Sequence, residues 1–152
     1  MGVTLKLPWA PSANQIWRNH RAGQVYLSKK YQDFLKLAYY AWLEQGSPTF
    51  KEEAAQVELN LFPPSSRPYD VDNRIKPTLD ALTKMGFWTD DRIVRKVTAV
   101  ASVPVAGGAI IVNVEAFNPR QLVESSQETA QNMGLLVIPP KGDGKSRKNN
   151  KK

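Results

Sequence analysis

A small α+β domain, with a mixed β-sheet covered on one face by two helices, is the fold class the sequence predicts. Three observations predict it. Four runs alternate apolar and polar residues with a period of two. Two longer stretches carry apolar residues at helical spacing and end in glycine. The segments follow one another as β-α-β-α-β-β, and helices laid on one face of a small sheet are the simplest packing for that order.

The first strand is residues 2–7, with Val3, Leu5 and Leu7 on one face and Thr4 and Lys6 on the other. Pro8 ends it, and residues 8–21 read as an ordered loop in which Trp9 and Trp17 alternate with Arg18, His20 and Arg21. That mixture suits a nucleic-acid backbone or an unstacked base. A loop pinned by buried tryptophans with solvated arginines is the competing reading. Ser28 is placed to cap a helix running to about Gln45, with Tyr31, Phe34, Leu35, Ala38 and Trp42 as its core stripe. Gly46 and Pro48 stop it.

Val57, Leu59 and Leu61 form the second strand, and Pro63, Pro64 and Pro68 stiffen the chain beyond it. A second helix is expected over 73–85, with Ile75, Leu79 and Leu82 inward and Gly86 past its end. Pro77 lies beyond the free first-turn amides, so distortion of the opening turn is expected. Val97, Ala99, Ala101 and Val103 mark the third strand, Gly107-Gly108 signals a hairpin, and Ile110, Val112 and Val114 mark the fourth. Residues 1–118 thus form the domain. Residues 119–152 are a polar, basic extension, with a candidate helix over 120–133, a short docking segment at 135–138, and disorder expected from about 141. This extension holds seven basic and three acidic side chains.

Composition excludes several chemistries. The 152 residues contain no cysteine and one histidine, His20, which removes disulfides, thiolate nucleophiles and thiolate zinc sites and disfavours a Ser-His-Asp triad. No apolar run approaches a membrane span and no signal-peptide core is present, so a soluble intracellular protein is expected. A net charge of +7 favours an anionic partner such as nucleic acid.

Against that basic background, residues 69–91 (YDVDNRIKPTLDALTKMGFWTDD) concentrate five of the fourteen acidic residues: Asp70, Asp72, Asp80, Asp90 and Asp91. Clustered carboxylates repel one another, and a hard divalent cation relieves the repulsion through oxygen ligands. Such an ion can also activate water for attack on phosphorus. Lys76 stands four residues after Asp72, at helix-pairing distance, and can neutralise a scissile phosphate. The local alternatives are Asp72 as a helix N-cap, Asp80 as the salt-bridge partner of Lys76, and Asp90 or Asp91 as a turn residue. Spacing alone does not choose between Asp90 and Asp91. An EF-hand is excluded because Arg74 and Ile75 occupy ligand and turn-glycine positions, and the chain is too short for a nucleotide-sugar fold.

The pattern Asp70-Val71-Asp72-Asn73, Lys76, Asp80-Ala81-Leu82, Gly86-Phe87-Trp88 and Asp90-Asp91 resembles the RusA-type Holliday-junction resolvases. The opening LPWAPSANQIWR, with Pro8, Pro11, Ser12 and Asn14, is similar to that family's N-terminal signature. The resemblance covers roughly Val3 to Ala116. It implies an α+β homodimer that cuts four-way DNA junctions by paired symmetric incisions, using magnesium, with manganese as a substitute. It also implies a bacterial or phage-infected cytoplasm. Carried over by position, the catalytic and metal-binding aspartates are Asp70, Asp72 and Asp91, and the essential lysine is Lys76; the resemblance leaves Asp90 without a role. Arg18, Arg21, Arg67, Asn73 and Arg74 are the candidate DNA contacts. A non-catalytic branched-DNA binder and a nuclease of flaps or forks are the alternatives.

Overall fold

The computed structural model describes residues 2–139 and 141. The chain divides at Phe117/Asn118 into two compact units. The first is an α+β fold: β1 (Val3–Leu7), β2 (Trp17–Asn19), β3 (Val25–Leu27), α1 (Lys29–Glu44), β4 (Ala55–Phe62), α2 (Asp72–Met85), β5 (Val94–Ala101) and β6 (Ala109–Ala116). The second contains α3 (Pro119–Asn132), opened by Asn118, whose side chain accepts from the amide of Arg120. Disorder expected beyond Lys141 falls outside the described residues. No helix among those described is long and apolar enough to cross a membrane.

The main sheet is mixed, in the order β1-β6-β4-β5, with only the β4–β5 pair parallel. Register lines up the apolar positions in rows. Leu5 pairs with Val112, Val112 with Leu59 and Leu59 with Ala99; a second row joins Leu7, Ile110, Leu61 and Ala101. This face is buried under Tyr31, Phe34, Ala38 and Trp42 of α1 and Ala81, Leu82 and Met85 of α2. The opposite face is polar, with Thr4, Asn113, Glu58 and Thr98 in one row. A side-chain period of two on a half-covered sheet accounts for the alternation in β1, β4 and β6.

Both principal helices begin and end for local reasons. The Ser28 hydroxyl accepts from the Tyr31 amide at 3.2 Å, capping α1. At the end of α2, Gly86 takes φ 89°, and the Phe87 amide returns to Leu82 O at 3.0 Å. Pro77 is buried in the sixth position of α2. Its missing amide forfeits one helical bond, yet α2 runs unbroken, so the distortion expected at its opening does not interrupt it.

Three expectations need correction. The stretch 8–21 is not simply a loop: it holds a 3-10 turn (Ala13–Gln15) and β2, which pairs antiparallel with β3 as a separate two-stranded sheet. Gly107-Gly108 does not close a hairpin. The strands it joins lie on opposite sides of β4, so the connection crosses the end of that strand, anchored by Ser102 N to Leu61 O and Val105 N to Pro63 O. Finally, β5 stops at Ala101. As the edge strand it is mostly exposed, and Val103 beyond it is 68% accessible.

Candidate active site

The unit β4-α2-β5 is a parallel crossover, and in sheets of this kind ligands gather beyond the carboxyl ends of the strands. Residues 63–71 leave that end of β4. This approach contains three prolines and bends at residues 64–66, and it delivers Asp70 and then Asp72, the first residue of α2. Both aspartates are exposed. Asp72 does not cap the helix, because the capping position falls on Val71 and no side chain serves it. Its exposed carboxylate forms no ion pair among the described residues and stands at a helix N-terminus, where the macrodipole favours negative charge. Asp70 accepts one hydrogen bond, from Asn73 Nδ2 to Oδ2 at 3.2 Å. Asn73, a candidate DNA contact, thus also orients a candidate metal ligand.

Lys76 lies one turn further along α2. Its ammonium pairs with Asp80 at 3.1 Å and not with Asp72. The lysine side chain is 64% exposed in that pair. Such exposed i,i+4 pairs are worth only about 0.3–0.5 kcal/mol, so an incoming phosphate can compete for this cation.

Arg74 points the other way. Its guanidinium lies 4.9 Å from the centre of the Trp9 ring and 5.9 Å from that of Tyr69, and its Nη1 donates to Ala10 O at 2.6 Å. Trp9 and Tyr69 meet edge to face at 5.1 Å. Burial lowers the Arg74 pKa, opposed by the nearby Tyr69 and Asp70. Arg74 is thereby a clamp between the N-terminal loop and the segment carrying Asp70 and Asp72, which differs from a direct DNA contact. Its Nε and the Tyr69 hydroxyl are buried without hydrogen-bond partners among the described residues. Gly108 closes the back of the clamp: at φ 69°, a Cβ placed there would sit 2.9 Å from Trp9 Cβ and 3.0 Å from Pro64 Cδ. Arg67 remains exposed beside these residues, lining a shallow cavity of about 210 Å³ with Trp9, Tyr69 and Arg74.

Asp90 and Asp91 are at the other end of α2. Asp90 is committed locally, accepting from Arg92 N at 2.8 Å and Arg92 Nε at 2.9 Å and capping the 3-10 turn Asp91–Ile93. The side-chain hydrogen bond from Arg92 is the main reason its pKa is lowered. Asp91 is half-buried and forms no ion pair among the described residues. The 14 residues of α2 put about 21 Å of helix between Asp72 and the loop that leads to this turn. The crossover makes the same point: Val94 pairs with Ala55 at the start of β4, whereas Asp70 follows its far end. Among the described residues no three His, Cys, Asp or Glu side chains form a metal-binding group. Within one chain Asn73 bonds Asp70 and Lys76 lies one turn beyond Asp72, while Asp91 follows the far end of α2. Two exposed carboxylates still fit magnesium, which usually takes one or two carboxylates and completes its shell with waters and substrate phosphate.

Arg18 and Arg21 are exposed on β2 and in the turn that follows it. The clamp formed by Trp9, Tyr69 and Arg74 was missed by sequence reasoning.

Comparison with known proteins gives a consistent result. The family described as Endodeoxyribonuclease RusA matches residues 8–115. A crossover junction endodeoxyribonuclease of Enterobacteria phage HK97 is 31% identical over 108 residues, covering 71% of this chain and 89% of the relative. Its namesakes in Shigella sonnei and Escherichia coli strain K12 are each 30% identical over 115 residues, covering 73% of this chain and 92% of theirs.

Proposed function

The chain belongs to the RusA endodeoxyribonuclease family, and from that premise we propose that it is a magnesium-dependent nuclease resolving four-way DNA junctions. The observation that carries the proposal is the pair of exposed carboxylates, Asp70 and Asp72, at the head of α2, with Asn73 bonded to Asp70 and Lys76 one turn away. A magnesium ion bound there supplies a water of lowered pKa and screens charge on the phosphate. Asp70 and Asp72 hold the ion. Asn73, bonded to Asp70 Oδ2, would fix the orientation of that carboxylate as a ligand. Lys76 exchanges Asp80 for the scissile phosphate and stabilises the charge that grows as water oxygen bonds to phosphorus and one P–O ester bond breaks.

Asp91 enters this reading through a homodimer. Separated from Asp72 in its own chain by the whole length of α2, it completes the site of a second copy. A two-fold pair then carries two equivalent sites, matching the two equivalent strands that a junction offers. Manganese substitutes for magnesium at oxygen ligands of this kind.

The test is a panel of four-way junction, fork, flap and linear duplex at one salt concentration, since salt sets the affinity. Metal-dependent nicking of the junction above all others is expected, and Asp70→Asn should bind the junction without cutting it. Preferential cutting of forks or flaps, or binding without any cutting by the wild type, would replace the proposal with one of those activities.

A further inference from the structure

The β2–β3 hairpin carries none of the candidate metal ligands, and of its strand residues only Leu27 packs against the core. Of its strand residues only Leu27 is even half-buried, while Trp17 is 55% and Tyr26 49% accessible. Large aromatics on an isolated two-stranded ribbon contribute little to folding and need another reason to be there. The ribbon is nevertheless well built. Its base is tied by Ser28 N to Ile16 O at 2.8 Å, and its tip by His20 N to Gln24 O at 2.7 Å, with Gly23 at φ 77°.

Register sorts its side chains. Arg18 stands opposite Tyr26, and the His20 ring lies 6.4 Å from the Tyr26 ring. Trp17 stands opposite Leu27. Residues 2–32 contain five Lys and Arg and no acidic residue, so the ribbon's surroundings are uniformly attractive to a polyanion. Its root, the 3-10 turn Ala13–Gln15, packs against α2, the helix that begins at Asp72.

We propose that this hairpin wedges into the branch point of the DNA, with Tyr26 on one face beside Arg18 and Trp17 on the other beside Leu27, each stacking on a base exposed at the strand exchange, and with Arg18 and Arg21 holding the flanking phosphates. The inference rests on the nuclease reading above and adds the source of its structure selectivity. Stacking needs an open base face. A continuous duplex hides its base faces within the stack, whereas a branch point unstacks several. An aromatic ribbon therefore gains affinity at a junction and little on duplex, without regard to sequence. The arginines gain equally on both.

Binding of the full chain is measured in EDTA, by anisotropy on labelled four-way junction and linear duplex, with 2-aminopurine at the crossover as a second readout. Trp17→Ala and Tyr26→Ala should each weaken junction binding about tenfold or more, with duplex binding and melting temperature unchanged. The 2-aminopurine rise should fall with them, and Trp17→Phe should recover most of both signals. Arg18→Ala should weaken junction and duplex alike and lower the salt slope by about one. Aromatic variants that keep the wild-type junction-to-duplex ratio, or lose both affinities equally, overturn the hairpin's role while leaving the nuclease reading intact. A wild type with no junction preference overturns both.

Discussion

Mixing two inactive variants decides whether Asp91 acts in its own protomer or in its partner's. Asp70→Asn removes a carboxylate at the head of α2, and Asp91→Asn removes one beyond its tail. The separation is about 21 Å along the helix, and the eight residues of β4 span about 26 Å alongside it. Neither element can shorten without losing the core rows that Leu59 and Leu82 complete, so one metal ion cannot reach both ends of a single chain. In a mixed dimer one site then carries both lesions and the other carries none. Random exchange makes half of the dimers mixed, so nicking should return to about a quarter of the wild-type rate. The products should be single nicks without resolution. The assay is denaturing-gel analysis of a labelled junction after unfolding and refolding the two variants together, with each variant alone as the blank. No recovery above the blanks, in a mixture that demonstrably forms mixed dimers, would refute the shared site.

Other consequences follow from the clamp and the core. Arg74→Met removes a guanidinium that contacts two rings and the Ala10 carbonyl. A loss of about 2 kcal/mol is expected from those interactions, read as a fall in melting temperature, together with a weaker magnesium isotherm. Tyr69→Phe removes a buried hydroxyl without a partner, so stability should hold or rise by about 1 kcal/mol, and a marked fall would show that the hydroxyl is satisfied. Burial, with Asp80 nearby, pushes the Tyr31 pKa up to about 12. The folded state thus keeps this proton longer than the unfolded chain does. The Tyr31 contribution is complete below about pH 10 and is lost as pH rises toward 12. Denaturant midpoints across that window should decline, and less steeply in Tyr31→Phe.

Much of this architecture is legible locally. Val57, Leu59 and Leu61 alternate because one face of β4 is buried and the other is not, and Ser28 and Gly86 act within a turn of their own helices. Pairing partners are a different matter. Alternation in Val97, Ala99 and Ala101 reads the same whether β5 lies beside β6 or beside β4, so Gly107-Gly108 suggested a hairpin where the chain crosses over. The three-residue strands β2 and β3 are too short for a period to register. Within the acidic stretch, spacing left Asp90 and Asp91 undecided, the family resemblance pointed to Asp91, and neither gave its separation from Asp72. A rigid helix places Asp72 and Asp91 at opposite ends of the sheet, and only the traced path of the chain reveals it. Arg74 was read as a surface cation because nothing in its sequence neighbours announces that Trp9, from the N-terminal loop, lies beneath it.

The central claim is that this chain makes paired, metal-dependent incisions in branched DNA using Asp70 and Asp72. Nick mapping on a mobile four-way junction, with and without magnesium, tests it most directly. Cuts at matching positions on two opposed strands, absent from linear duplex and abolished by Asp70→Asn, are the predicted result. Cutting that persists in EDTA or in Asp70→Asn, or that falls equally on junction and duplex, would contradict it.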